Sequence, residues 1–403
     1  MKPCFLPADI LLPQNSEYSK WSVIACDQFT SDREYWNRVC EYVGNCPSTF
    51  DMVFPEIDLN NEPEKRIEKI SEAMRSNLEN GVFASYPSCY VYVERTLLDG
   101  SIRPGIVGMI DLEQYHYDPS FRPAIGATEQ TVLERVPPRI AVRRKAEIEF
   151  SHVILFCNDS ENLIFRSLSE KKDTLPILYA FDFMEGGGHV VGRHICGDDA
   201  KSLDRAIEEY TKKSNGTSFL VADGNHSLVT AKCWYEELKK NNPGVDFSCH
   251  PARYAMVELE NILDDSIAFE PIHRVIFDTD TEKLIQDLQK ICTPNGCEIP
   301  WETVDACGSF SISVPDGELP VSVLQAFLDD WLKKNPGRID YIHDKESVKK
   351  LAKQKNAIGL LLPTFDKSEL FAFGASGKLL PRKTFSLGHG REKRYYLEGR
   401  KIR

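Results

Sequence analysis

Residues 218–240 read SFLVADGNHSLVTAKCWYEELKK, and they change periodicity without a linker. SFLVAD is apolar and β-rich. From Ser227 onward Leu228, Ala231, Trp234, Tyr235 and Leu238 recur at helical spacing. The 223–227 stretch therefore has to be a strand-to-helix turn. A helix N-terminus carries unpaired N–H groups and partial positive charge, so it attracts anions. Gly224 permits a tight turn and close backbone approach. Asn225, His226 and Ser227 complete a polar lip, and the His226 ring can donate to a phosphate oxygen. Asp223, at the strand end, is placed to hold a hydroxyl, orient His226 or bind Mg²⁺. The same residues equally suit a plain capped turn with a satisfied histidine.

Charge narrows the partners. Lys+Arg 49 against Asp+Glu 61 leaves the chain at −12. Nucleic acid and anionic membranes need a basic surplus, so neither is an expected general partner. The opening residues lack a basic segment followed by a long apolar run, and no run approaches the ~20 residues that span a bilayer. A cytoplasmic protein is expected. The 12 cysteines form no CxxC pair, which argues against zinc ribbons and thioredoxin-type sites. They read as small buried hydrophobes in a reducing compartment.

The 403 residues suffice for two or three domains. WSVIACD at 21–27 reads as a strand ending in Asp27. SDREYWNRVCEYV starts a helix with Ser31 as N-cap and Glu34 three residues on, a capping box. EKRIEKISEAMRSNLENG is helical and stops at Asn80-Gly81. SCYVYVERTLLDGSIRPGIVGMIDLEQY and LPILYAFDFMEGGGHVVGRHI read as hairpins. Beyond about residue 275 strands and helices alternate in shorter pieces. The expected fold is α+β with mixed sheets: a main domain over 1–275 carrying the turn, and a smaller αβ unit over 276–403 contributing to the same cleft.

Several segments resemble one family. VADGNHSLVTA is similar to the ADGHHR signature of the family of unknown function numbered 1015. KWSVIACDQFTSDREYW resembles that family's N-terminal motif. GATEQTVLERVPPR, PIHRVIF and LLPRKTFSLGHG resemble three further motifs, in order along the chain. The turn also resembles, more distantly, that of the ParB/sulfiredoxin superfamily, whose members bind nucleotide phosphates there and include free-serine kinases. The resemblance implies a ParB/sulfiredoxin-like strand–turn–helix core. In one respect the chain departs from it: Ser227 stands where a basic residue usually closes the turn. Serine gives one neutral hydrogen bond where arginine pairs bidentately. Either Arg135, Arg274 or Lys383 supplies the missing charge, or the turn binds phosphate weakly or not at all.

Other candidates lie at element ends. Glu129, near Thr128, Thr131 and Arg135, is a candidate general base. Asp27 closes a strand, where αβ folds often face a ligand. His273 and Arg274 precede an apolar run, and Lys383 follows Pro381. The basic run ERVPPRIAVRRK reads as a solvated face, or else as a funnel for an anionic ligand. The basic, aromatic tail SLGHGREKRYYLEGRKIR reads as a final strand with charged neighbours.

The first functional reading is a nucleotide-dependent phosphotransferase acting on a small hydroxyl-bearing metabolite. Glu129, Asp223 and His226 are its catalytic candidates. ATP or ADP with Mg²⁺ is its cofactor, the metal held by Asp223. No GxxxxGK[ST] loop is present, so it is not a P-loop kinase. A non-catalytic nucleotide- or metabolite-binding regulator is the alternative, and a phosphohydrolase is a third. The first reading carries two structural expectations. The turn should lie at the mouth of the largest polar pocket. Asp27, Glu129, Arg135, Asp223, His226, Arg274 and Lys383 should converge.

Overall fold

A computed structural model describes residues 3–24, 29, 32–55, 63–130, 136–150, 152–214 and 216–403. The chain forms two compact units. The first comprises Met1–Ile267, Gly374–Gly377 and His389–Arg403; the second comprises Ala268–Phe373 and Lys378–Gly388. Both mix strands and helices, and eleven α-helices occur among the described residues. The segment His389–Arg403 returns to the first unit, where the buried ion pairs set out below hold it.

The first unit is built on a thirteen-stranded mixed sheet. Across it run Tyr115–His116, Ile125–Gly126, Phe219–Asp223, Ile154–Cys157, Tyr254–Asn261, Ile102–Asp111, Phe83–Thr96, Ala8–Pro13, Gly399–Lys401 and Ile148–Phe150. Both expected hairpins are present: Phe83–Thr96 with Ile102–Asp111, and Ile177–Asp182 with His189–Ile195. In the long strand Cys89, Tyr90, Val91, Tyr92 and Val93 are all buried. A strand alternates faces, so an unbroken buried run means that both faces of the sheet are covered there.

The helices follow their sequence signals with one change. Arg33–Val43 is capped by Asp32, whose carboxylate accepts the Tyr35 N–H at 2.9 Å. Ser31, the expected cap, lies outside the described residues. Asp32 takes the role because its carboxylate reaches the third helical amide and satisfies an otherwise orphaned donor. Pro63–Glu79 ends as expected just before Gly81, at φ 65°.

The second unit holds a five-stranded sheet in the order Cys307–Ile312, Cys292–Glu302, Ile358–Leu360, His273–Phe277 and Arg338–Ile342. Its His273–Phe277 strand is buried at every position. Val348, on the helix Lys345–Ala352, packs into the cluster of Val275, Phe277 and Ala357. Among the described residues no helix is long and apolar enough to cross a membrane. Among the described residues eleven cysteines are free thiols, and of these only Cys4, Cys89 and Cys157 are buried. The expectation of generally buried cysteines is therefore corrected: Cys40, Cys196, Cys249 and Cys307 are exposed, at positions where a single small thiol costs little.

Candidate functional site

The turn forms where periodicity places it. Phe219–Asp223 is a strand and Asn225–Asn241 a helix, joined by Gly224 alone at φ 81°, ψ 23°. That left-handed conformation suits glycine. The space does too: a Cβ on Gly224 would lie 3.0 Å from Val153 Cα and 3.3 Å from the His152 carbonyl oxygen. The Leu228 N–H closes the first helical bond on the Gly224 carbonyl at 3.1 Å. Among the described residues nothing accepts a hydrogen bond from the Asn225 or Ser227 amide, or pairs with the Ser227 hydroxyl.

Strand register gathers further groups at this end of the sheet. Ile125–Gly126 runs parallel to Phe219–Asp223, with Gly126 opposite Leu220. Glu129 and Asp223, each three residues further on, therefore share one sheet end. Thr128 Oγ1 donates to the Val221 carbonyl at 2.6 Å and accepts from Asn225 Nδ2 at 3.3 Å. This fixes the Asn225 amide and leaves its buried Oδ1 without a hydrogen-bond partner. Ile154–Cys157 runs antiparallel, with Ile154 opposite Asp223, so His152 reaches the same end. The His152 ring packs 4.8 Å from that of Tyr396.

Asp223 is held from two sides. One carboxylate oxygen accepts the Gly224 N–H at 2.8 Å, and the other lies 2.9 Å from Lys393 Nζ. Burial by itself would raise its pKa, but the Lys393 ammonium, with help from His152 and the Gly224 N–H, holds it below the ordinary carboxylate value. The expectation that Asp223 binds Mg²⁺ does not fit this arrangement. A divalent cation on the same carboxylate would sit against an ammonium, and among the described residues no three His, Cys, Asp or Glu side chains gather to hold a metal.

Lys393 is delivered by a segment clamped inside the first unit. Its neighbour Arg394 pairs with Glu258 at 2.8 Å and with Glu398 at 2.9 Å, all three side chains being 2–3% exposed. Glu258 and Glu260 in turn face Arg95, at 3.6 and 2.8 Å. Tyr179 donates to Glu398 at 2.5 Å. Gly105 makes room for this chain of charges, since a Cβ there would come 2.3 Å from Glu258 Oε1. Further along, Tyr396 N–H donates to the Val23 carbonyl, the Trp21 indole to the Leu397 carbonyl, and Arg400 pairs with Glu149 at 2.8 Å.

Lys393, Arg394 and Glu398 lie in the basic tail SLGHGREKRYYLEGRKIR, which the sequence marks only as a final strand with charged neighbours, and neither they nor His152 are among its candidate site residues. The available signal is a charge in an apolar strand: Arg95 in VYVERTLL, and Glu258 and Glu260 in AMVELENI. Such groups are buried only when paired.

The remaining candidates divide. Asp27, Thr131 and Arg135 lie outside the described residues. His273, Arg274 and Lys383 belong to the second unit. Arg274, expected to face phosphate, is fully buried: its Nε donates to Gln325 at 2.8 Å, its Nη1 to the Ile272 carbonyl at 2.6 Å, and its guanidinium stacks 4.6 Å from the Tyr341 ring. A guanidinium so committed serves the packing of its own unit. Lys383 is half-buried at φ 58°. In the basic run Arg143 pairs with Glu149, Arg144 with Glu237 and Lys145 with Glu68. A groove of about 280 Å³ lies elsewhere in the first unit, lined by Phe5, Leu6, Asp204 and Ile207 among others, and it includes no residue of the turn.

His273 has a structural role with a pH consequence. Its ring is buried, and Nδ1 accepts the Leu362 N–H at 3.0 Å. Burial, then Lys345 and Arg274, lowers its pKa from 6.5 to about 4. Between those values the unfolded chain binds the extra proton, so stability falls as pH drops through the window and is fully restored above 6.5. The expected loss at the acid end is about 2–3 kcal/mol. Denaturant melts of wild type and His273→Asn at pH 7 and pH 4.5 check this. The stability advantage of wild type should shrink at the lower pH, and parallel pH profiles would show that His273 is not the cause.

Fold and turn together define a mixed αβ protein with a glycine-jointed strand–turn–helix corner. The chain belongs to the family described as Protein of unknown function (DUF1015), whose pattern matches residues 7–378. A search of curated proteins gave no match. Three solved structures illustrate the general likeness. A conserved hypothetical protein from Pyrococcus furiosus is 13% identical, with TM-score 0.36 over 72% of this chain and 90% of that one. A free serine kinase in complex with AMP is 12% identical, with TM-score 0.40 over 73% and 90%. SbnI with a C-terminal truncation, from Staphylococcus aureus, is 9% identical, with TM-score 0.38 over 70% and 83%. Likenesses this distant carry no functional weight.

Proposed function

We propose that the 223–227 turn binds a nucleotide phosphate and that the protein is a phosphotransferase acting on a small hydroxyl-bearing metabolite, on a ParB/sulfiredoxin-like core. The observation that carries this is the corner itself. Gly224 brings the backbone close in a left-handed conformation, and the Asn225 and Ser227 amides follow it without protein partners among the described residues. Such N–H groups at a 17-residue helix start supply donors and dipole to a phosphate. Glu129 reaches the same sheet end, where a carboxylate can take a proton from an attacking hydroxyl. Any Mg²⁺ arrives as the counter-ion of ATP or ADP, not on Asp223.

A non-catalytic sensor is the second reading, and Ser227 favours it. The turn lacks its own fixed cation, so it grips phosphate less firmly than an arginine-closed one.

Thermal melts with ATP, ADP and CTP, with and without Mg²⁺, test phosphate binding. At ligand about 100-fold above Kd the stabilisation is about 2.7 kcal/mol, several degrees in Tm. Ser227→Arg should enlarge the shift by adding a bidentate partner. Flat melting curves with every nucleotide in both proteins would refute the proposal. Phosphorus NMR of ATP incubated with pooled amino acids and sugars then separates enzyme from sensor.

A further inference from the structure

We infer that Lys393 is the cation that this phosphate turn lacks locally, presented by the C-terminal segment and parked on Asp223 when no phosphate is bound. The inference rests on the phosphate reading of the turn. An ammonium carries three donors. Lys393 has a 9% exposed side chain, and among the described residues Asp223 is its sole partner. Two donors of a nearly buried charge are therefore left over, which is costly unless a further acceptor comes. Asp223 Oδ2 holds Nζ at 2.9 Å while Oδ1 takes the Gly224 N–H, so the ammonium stands beside the open helix start. Asn225 Oδ1, buried and unpartnered in the first helical residue, is an acceptor, so it calls for a donor such as an ammonium and not for a phosphate oxygen.

Lys393 is not free to wander. Arg394 is locked between Glu258 and Glu398, and Tyr395 Oη donates to the Met184 carbonyl at 3.1 Å. Only the lysine stem can swing. A phosphate on the Asn225 and Ser227 amides would draw the ammonium toward it, while Asp223 keeps the Gly224 N–H. Lys393 thereby takes the part that a basic residue at position 227 would play.

Calorimetric titration of ADP and ATP, each with Mg²⁺, into four proteins tests this. They are wild type, Lys393→Arg, Lys393→Met, and Lys393→Met combined with Asp223→Asn. The double variant removes both charges, so it folds without an unpaired carboxylate, and its melting curve verifies that. Losing one charged hydrogen bond should weaken nucleotide binding roughly ten- to a hundredfold. Lys393→Arg should retain binding, and both methionine variants should lose it alike. Recovery of wild-type affinity in the double variant would show that Lys393 merely neutralises Asp223, and would overturn the inference. So would unchanged affinity in Lys393→Met. Absence of binding to wild type itself would defeat the phosphate reading, a separate and distinguishable failure.

Discussion

Replacing Arg394 with Met is expected to cost about 3–5 kcal/mol of folding stability, because it removes the guanidinium shared by two buried carboxylates and leaves Glu258 only the longer contact to Arg95 and Glu398 only the neutral Tyr179 hydroxyl. Glu258 and Glu398 are each 2% exposed and lie 2.8 and 2.9 Å from this guanidinium. Water cannot take over as their partner. An exposed pair would be worth at most about 1 kcal/mol, so the size of the loss reports burial directly. The exposed Arg144–Glu237 pair supplies the comparison, and Arg144→Met should cost less than about 1 kcal/mol. Urea denaturation of the two variants and wild type measures both. Equal losses would mean that the Arg394 cluster is hydrated. The Arg394 variant should also lose nucleotide stabilisation, since the segment holding Lys393 loosens with it.

Gly224→Val is expected to be the second large effect, costing about 3 kcal/mol or more and abolishing any nucleotide-induced shift in Tm. Two causes add. The residue sits at φ 81°, which a β-branched side chain resists. Its Cβ would also meet Val153 Cα at 3.0 Å and Val153 Cγ2 at 3.1 Å, and backbone cannot step aside as a flexible side chain would. Gly197 separates the causes, because it has φ 59° and nothing within 4 Å of a built Cβ. Gly197→Val therefore carries the backbone strain alone and should cost visibly less. Denaturant melts of both variants, with and without ADP, check the pair. A Gly224→Val protein that keeps wild-type stability and its nucleotide shift would show that close approach at this corner is unimportant.

The local elements are legible in the sequence because their causes are local. The 218–240 stretch shows its strand, turn and helix in periodicity, and Gly224 is required at the joint by a steric rule that acts on one residue. The two hairpins and the stop before Gly81 are readable for the same reason. The cap at Asp32 falls one residue after the serine that the spacing favours, since adjacent polar residues offer equivalent signals.

What periodicity cannot carry is the partner of a charge. Arg274 and Lys393 are both basic residues near element ends, and nothing in their neighbours distinguishes them. Tertiary packing buries Arg274 against Gln325 and Tyr341, and sets Lys393 beside Asp223. The sequence alone determined the corner and its open amides, because backbone geometry follows from short-range sterics. Only the tertiary structure decided which cation stands beside them, because a buried charge is placed by the distant carboxylates that must neutralise it.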